Sequence, residues 1–264
     1  MKLILFAVFL SLYPPITQAA VLVMSGLTEE LNIQKGGTAR GVIQLKNTGR
    51  KPKQVKIYLV EKSPTGAQKR HHRSNKNWIN IGANKITIPP GGQRKINFKI
   101  RAPHNAQTGT YWSNLIVEPI SSSSKESTLK KLPPVKNGFR VLMTTKTRYS
   151  IALMSHIGSG EAKYIFSAPK VAKDQQGRKV FSIAIKNVGN RHGYPKLSMD
   201  VFRKNGQRLA SLKGAQRGLY PQAIKRFTIP VHTLKTGSYK TLITAEDFRS
   251  GRTFGSDLTL KILP

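Results

Sequence analysis

Beyond an apolar run at the N-terminus, hydrophobic residues recur at every second position over short stretches, and turn residues separate those stretches. Val42-Ile43-Gln44-Leu45-Lys46, Val55-Lys56-Ile57-Tyr58-Leu59-Val60 and Ile96-Asn97-Phe98-Lys99-Ile100 are examples. Successive side chains of an extended chain point to opposite faces, so this period predicts antiparallel strands with one face buried. No stretch longer than two turns carries a helical stripe. The expected fold class is all-β.

Two segments occur twice in the same order. Ile43-Gln44-Leu45-Lys46-Asn47-Thr48-Gly49 is echoed by Ile183-Ala184-Ile185-Lys186-Asn187-Val188-Gly189. Each reads as a strand with two inward aliphatics, followed by a turn in which Asn and Gly take positive φ. Pro90, Phe98, Ile100, Thr108-Gly109, Tyr111 and Leu115 are echoed by Pro221, Phe227, Ile229, Thr236-Gly237, Tyr239 and Leu242. Two echoes in the same order, with spacings that drift by a few residues, predict tandem domains of similar fold. Strands every ~8–12 residues suggest an immunoglobulin-like sandwich of about seven strands in each half. Tyr111 and Tyr239 stand where a late strand begins, a position that suits a tyrosine whose hydroxyl bonds to backbone at a corner. Asn205-Gly206 reads as a two-residue hairpin turn.

The first 19 residues read as a cleaved export signal. Lys2 supplies the positive charge, Leu3 through Leu10 form a short apolar core, and Thr17-Gln18-Ala19 offers small residues for cleavage. That core is far below the ~20 residues needed to span a bilayer, and no later segment reaches that length. The expected organisation is a signal at 1–19, a first domain at 20–156 and a second at 157–264, with the boundary near Ile157-Gly158-Ser159-Gly160. The expected location is the periplasm, with no transmembrane segment in the mature chain.

The chain has 45 Lys+Arg against 11 Asp+Glu, 6 His and no Cys among 264 residues. Absence of cysteine excludes disulfides, thiolate metal sites and thiol nucleophiles. Few carboxylates remain for acid–base work. Glu29-Glu30 and Glu246-Asp247 are neighbours on expected strands, which puts each pair on opposite faces. His71 and His72 diverge in an extended chain, and His104, His156, His192 and His232 are isolated, so no metal or cofactor is expected. No nucleophile elbow, phosphate loop or dinucleotide fingerprint is present. The chain is not expected to be an enzyme. The charge of +34 attracts anions, but the cations are dispersed and no base-stacking module accompanies them, so nucleic acid is not an expected partner.

Phe139 to Leu153 reads as the last strand of the first domain. Phe139, Val141, Met143, Thr145, Thr147, Tyr149 and Ile151 share one face; Arg140, Leu142, Thr144, Lys146, Arg148 and Ser150 share the other. The segment follows the low-complexity run Ser121-Ser122-Ser123-Ser124-Lys125-Glu126-Ser127. It reads either as a core strand or as an edge that pairs with another protein's strand, where main-chain bonds give affinity and alternate side chains fill a groove.

With Ile88-Pro89-Pro90-Gly91-Gly92-Gln93-Arg94, Gly109-Thr110-Tyr111-Trp112-Ser113-Asn114-Leu115 and the stretch 121–151, the mature chain resembles the periplasmic chaperones of chaperone–usher pilus assembly. Asn187-Val188-Gly189-Asn190-Arg191 and Gly218-Leu219-Tyr220-Pro221 are similar to its divergent members. The resemblance implies two immunoglobulin-like domains and a chaperone that caps exported pilus (fimbrial) subunits by donating an edge strand. Its partners would be the subunit and an outer-membrane usher. Phe139, Val141 and Met143 would be the donated side chains. Arg148 would grip the subunit's terminal carboxylate, which a guanidinium does through two parallel hydrogen bonds. The family's first-strand arginine has no counterpart: the comparable stretch is Thr28-Glu29-Glu30-Leu31-Asn32-Ile33, and Arg40 on the next strand is the residue that could substitute. The alternative function is an exported binding module for anionic cell-wall or surface polysaccharide, acting through Lys69, Arg70 and Arg73.

Overall fold

The alternating stretches form strands, and their alternation decides which face is buried. In the computed structural model, which describes residues 21–61, 73–120 and 147–263, nine strands precede residue 158 and seven follow it. The first nine are β1 (Val21–Val23), β2 (Thr28–Ile33), β3 (Thr38–Asn47), β4 (Lys53–Val60), β5 (Ile79–Ile81), β6 (Lys85–Ile88), β7 (Gln93–Arg101), β8 (Gly109–Pro119) and β9 (Tyr149–Ile157). They make two sheets, β1-β3-β7-β5 and β2-β9-β8-β4-β6. The remaining seven are β10 (Tyr164–Lys173), β11 (Lys179–Asn187), β12 (Pro195–Phe202), β13 (Arg208–Gln216), β14 (Ile224–Pro230), β15 (Gly237–Asp247) and β16 (Thr253–Ile262). They make the sheets β10-β11-β14 and β13-β12-β15-β16. Both halves are immunoglobulin-like sandwiches in strand order: β1, β3 and β7 share a sheet as β10, β11 and β14 do, and β4, β8 and β9 share the other as β12, β15 and β16 do.

Each sandwich has its own core. Ile43 and Leu45 of β3 and Phe98 and Ile100 of β7 pack with Ile57, Leu115 and Ile151 in the first. Ile183 and Ile185 of β11 and Phe227 and Ile229 of β14 pack with Leu197, Met199 and Ile243 in the second. Burying one such side chain contributes about 1.5–3 kcal/mol. The repeat therefore records equivalent strands, β3 with β11 and β7 with β14. The Leu115–Leu242 correspondence is off by one residue: Leu242 is exposed, and its neighbour Ile243 fills the core position.

Several local expectations change. Asn47 and Asn187 are fully buried and neither they nor Gly49 and Gly189 take positive φ. The motif is a buried polar plug rather than a left-handed turn. Asn205-Gly206 is not a two-residue hairpin. Gly206 N–H donates to Arg203 carbonyl at 3.0 Å and Arg203 N–H to Gln207 carbonyl at 2.9 Å. Gly206 sits at φ +83°, so the connection is a three-residue loop closed by a glycine bulge. The Tyr239 hydroxyl donates to Lys235 carbonyl at 2.9 Å, the corner bond expected of it. Tyr111 instead packs on Trp78, with centroids 4.4 Å apart, and under the Arg73 guanidinium.

The N-terminal strand changes sheet. β1 pairs antiparallel with β3, and after Gly26 at φ +90° the chain crosses so that β2 pairs parallel with β9. Trp112 and Asn114 of β8 are also buried on the face opposite its core residues; Trp112 packs there on Tyr220 of the second sandwich, and Asn114 donates to Ser150 of β9.

Candidate functional site

β9 lies between β8 and β2, but the two neighbours cover different lengths of it. β8 pairs from Tyr149 through Ile157, whereas β2 begins its register at Ala152. Ala152 N–H donates to Leu27 carbonyl at 2.9 Å. Amides alternate in direction along a strand, so Ser150 N–H points to the same side. No strand among the described residues pairs with that side at Tyr149–Ile151. The inward residues are Tyr149, Ile151 and Leu153, and Ser150 is exposed. Phe139, Val141 and Met143 lie outside the described residues, as do the Ser-rich run, His71-His72, Lys69 and Arg70.

Arg148 stands just ahead of β9 on the solvent side, 59% exposed, and pairs with Glu118 at 3.1 Å. The second oxygen of Glu118 accepts from the Tyr58 hydroxyl at 2.9 Å. Arg40 does not join it. It lies on the outer face of the other sheet, opposite Lys99. Arg73 donates to Thr108 carbonyl at 2.7 Å and to Gln107 at 3.2 Å, so its guanidinium holds the approach to β8.

The strongest electrostatic coupling joins the two sandwiches. β2 aims Glu30 at the second domain, and β9 aims the buried His156 alongside it. His156 Nε2 lies 2.8 Å from Glu30 Oε2, and its Nδ1 lies 2.8 Å from Thr110 Oγ1. From the other domain, Tyr194 donates to Glu30 Oε1 at 2.8 Å, and Arg249 forms an ion pair with Oε2. The Arg249 guanidinium also sits 4.6 Å from the Tyr194 ring centroid. Burial by itself would raise the Glu30 carboxyl, but bonds from His156, Arg249 and Tyr194 outweigh it and hold the group far below the usual carboxylate range. Burial, then the bond to Glu30, pushes the Tyr194 phenol up to about 12.

Asp247 positions Arg249. Its Oδ1 accepts from the backbone N–H of Arg249 at 3.1 Å and of Ser250 at 3.0 Å, while Oδ2 accepts from Tyr194 N–H at 2.9 Å and from the Tyr164 hydroxyl. The turn after β15 is thereby fixed with the guanidinium facing Glu30. Burial pushes His192 down to about 3, so it is a neutral ring. It packs on Tyr220, which packs on Trp112 of the first sandwich at 4.7 Å.

Backbone completes the junction. Thr110 N–H donates to Asn190 carbonyl at 2.9 Å, and His192 N–H to Thr110 Oγ1 at 2.9 Å. Arg191 donates to Gly158 carbonyl and to Asn32 Oδ1, each at 2.9 Å. Gly109, at φ +123°, lies so close that a Cβ would fall 2.3 Å from Asn190 carbonyl oxygen. A cavity of about 490 Å³ opens beside Glu30, His156, Arg191 and Arg249. Glu30 is ion-paired with Arg249, and Arg191 is held by Gly158 and Asn32 across the junction, so these groups fix the domains to each other. Among the described residues, no group of three or more His, Cys, Asp or Glu could hold a metal ion.

Sequence reasoning missed this junction because its members come from β2, β9, the loop after β11 and the turn after β15. The usable signal was Asn187-Val188-Gly189-Asn190-Arg191, whose last two residues dock on the first sandwich.

No family model and no curated protein matches the chain. Among solved structures it is similar to a chain of the chaperone–tip adhesin complex of CFA/I fimbriae, at 12% identity over 93% of this chain and 100% of that one, with TM-score 0.49. It is also similar to the class 5 fimbriae chaperone CfaA, at 12% identity over 92% and 99%, TM-score 0.47. A third is a chain of the CsuC–CsuE chaperone–tip adhesion subunit complex of Acinetobacter baumannii, at 16% identity over 90% and 98%, TM-score 0.44.

Proposed function

We propose that the protein is an exported, periplasmic chaperone that caps a pilus or fimbrial subunit by adding its own strand to the subunit's unfinished sheet. The observation that carries the reading is the side of β9 at Tyr149–Ile151 that no strand among the described residues pairs, where β8 is paired and β2 has not yet begun. An unpaired row of N–H and C=O groups is a template for another chain, and alternate side chains give such pairing its specificity. The alternating residues Phe139, Val141 and Met143, upstream on the same chain, would then be the side chains that enter the subunit. An outer-membrane usher would receive the complex.

Arg148 is the proposed anchor for the subunit's terminal carboxylate. It stands at the start of the open edge, and its exposed pair with Glu118 is weak enough to exchange, since such pairs contribute ~0–1 kcal/mol. The stretch Thr28–Ile33 carries no arginine, and its Glu30 is committed to the domain junction. Arg148 is therefore expected to act without that second arginine.

The test is capture from the cell envelope with tagged full-length protein and a high-salt wash. One small secreted protein retained near equimolar amounts supports the reading. Retention of nothing at high salt contradicts it.

A further inference from the structure

The sheet β1-β3-β7-β5 turns one face to the core and the other to solvent, and the solvent face carries charge of a single sign. Arg40 and Lys46 of β3 and Lys95, Lys99 and Arg101 of β7 all point outward. No Asp or Glu occurs anywhere in these four strands. None of the five cations forms an ion pair among the described residues. Arg40 stands directly opposite Lys99, a cross-strand pairing of like charges that lowers stability. By strand geometry the cations occupy a lattice of about 5 Å by 7 Å.

A net charge of +34 does not by itself produce such a face, because two of the other three sheets mix their signs; the strands of β10-β11-β14 likewise lack Asp and Glu. On the sheet holding β8, Lys56 lies opposite Glu118, and Arg148 pairs with the same carboxylate. In the second sandwich Lys196 stands opposite Glu246, and Asp200 and Asp257 are interspersed with Lys213 and Lys261.

Apolar side chains share this basic face. Leu22 of β1, paired with Lys46, is 38% exposed, and Val42 of β3 is 39% exposed. Met24, whose N–H donates to Gln44 carbonyl beside them, is 52% exposed. Among the described residues, the outward positions of these four strands hold no aromatic ring on which a sugar could stack. Cations around a few exposed aliphatics suit a surface that is anionic at the level of phosphate and apolar just beneath it.

We infer that the outer face of β1-β3-β7-β5 docks on a membrane surface bearing anionic phospholipid headgroups. Lys and Arg supply the attraction, and Leu22, Met24 and Val42 seat shallowly among the headgroups. Because β9 belongs to the opposite sheet, docking leaves its open edge free. The inference stands independently of strand donation.

The test is flotation of the mature chain with vesicles of equal parts phosphatidylglycerol and phosphatidylcholine, and with phosphatidylcholine alone. Binding is expected to the anionic vesicles and to fall as salt rises. Combining Arg40→Gln, Lys95→Gln and Lys99→Gln is expected to weaken it on the order of a hundredfold, at about fivefold per cation. Removing equal charge from the second sandwich with Lys196→Gln, Lys213→Gln and Lys240→Gln is expected to weaken it less than about fivefold. Both variants are first shown to be folded by thermal unfolding. Equal losses from the two sets, no binding to anionic vesicles, or tight binding to a soluble polyuronate in preference to vesicles would each overturn the inference.

Discussion

The side chain of Asn187 repeats in the second sandwich the bonding that Asn47 makes in the first. Asn47 Nδ2 donates to Lys51 and Ile88 carbonyls at 2.8 and 3.1 Å, and Gly49 N–H donates to its Oδ1 at 2.9 Å. Asn187 Nδ2 donates to Arg191 and Leu219 carbonyls at 2.7 and 3.0 Å, and Gly189 N–H donates to its Oδ1 at 3.0 Å. Both amides are fully buried; Asn47 closes the loop after β3 against the segment that leads into β7, and Asn187 closes the loop after β11 against the segment that leads into β14. Replacing either by Ala leaves buried backbone groups without partners. Asn47→Ala and Asn187→Ala are each expected to cost about 2–3 kcal/mol in urea unfolding. Asn187→Ala should also loosen Asn190 and Arg191, and with them the domain junction.

The two corner tyrosines offer a paired comparison. Tyr239→Phe removes the hydroxyl that binds Lys235 carbonyl and is expected to cost about 1 kcal/mol. Tyr111→Phe keeps the ring packing on Trp78 and is expected to change stability by less than about 0.5 kcal/mol. Thermal unfolding of the two variants separates the roles.

Glu30 is the centre of the junction, and its removal strands Arg249. Glu30→Ala is expected to cost about 1–3 kcal/mol, less than a fully buried pair would because Arg249 is 39% exposed. Small-angle scattering should show a wider spread of domain orientations. Arg249→Ala should produce the same spread, and the double variant should add little to either single one.

The junction also sets an acid dependence. Glu30 has a folded pKa depressed below its unfolded value of about 4.3. Its contribution is fully present above that value and is lost as pH falls toward the folded one. His192 is neutral in the fold down to about 3, whereas an unfolded histidine takes up its proton near 6.5. Between those values the unfolded state binds more protons, so stability falls with falling pH, by at most ~1.4 kcal/mol per unit from this group. Chemical unfolding between pH 7 and 5 should therefore show destabilisation that His192→Phe diminishes in slope.

Arg148 is predicted to matter to the partner and not to the fold. Arg148→Ala breaks one exposed ion pair and should shift stability by less than about 1 kcal/mol. Capture of the secreted subunit should fall at least tenfold, an expectation drawn from the loss of a charge-assisted bidentate bond. Unchanged capture would remove Arg148 from the site.

The fold was legible where a strand has one wet face. β3, β4 and β7 alternate in sequence as they do in burial, and the two echoes mark strands that are structurally equivalent. Alternation fails in β8, where Trp112 is buried against Tyr220 of the second sandwich, and in β11, where Ser182 lies beneath Arg226. Period alone does not reveal a second buried face. The open edge was partly legible: the face carrying Tyr149 and Ile151 was read correctly, but the strand runs to Ile157 rather than stopping at Leu153. The junction was not legible, because His156 and His192 appear isolated in the chain and only the fold brings Glu30, Tyr194 and Arg249 together.

Hydrogen exchange at the Ser150 amide tests the central claim most directly. That N–H points to the side of β9 which β2 leaves uncovered, so it should exchange rapidly in the free protein. In the complex captured from the envelope, strand donation predicts strong protection of Ser150, while Ala152, already bonded to Leu27 carbonyl, changes little. A captured partner that leaves Ser150 exchanging as fast as in the free protein would contradict the account.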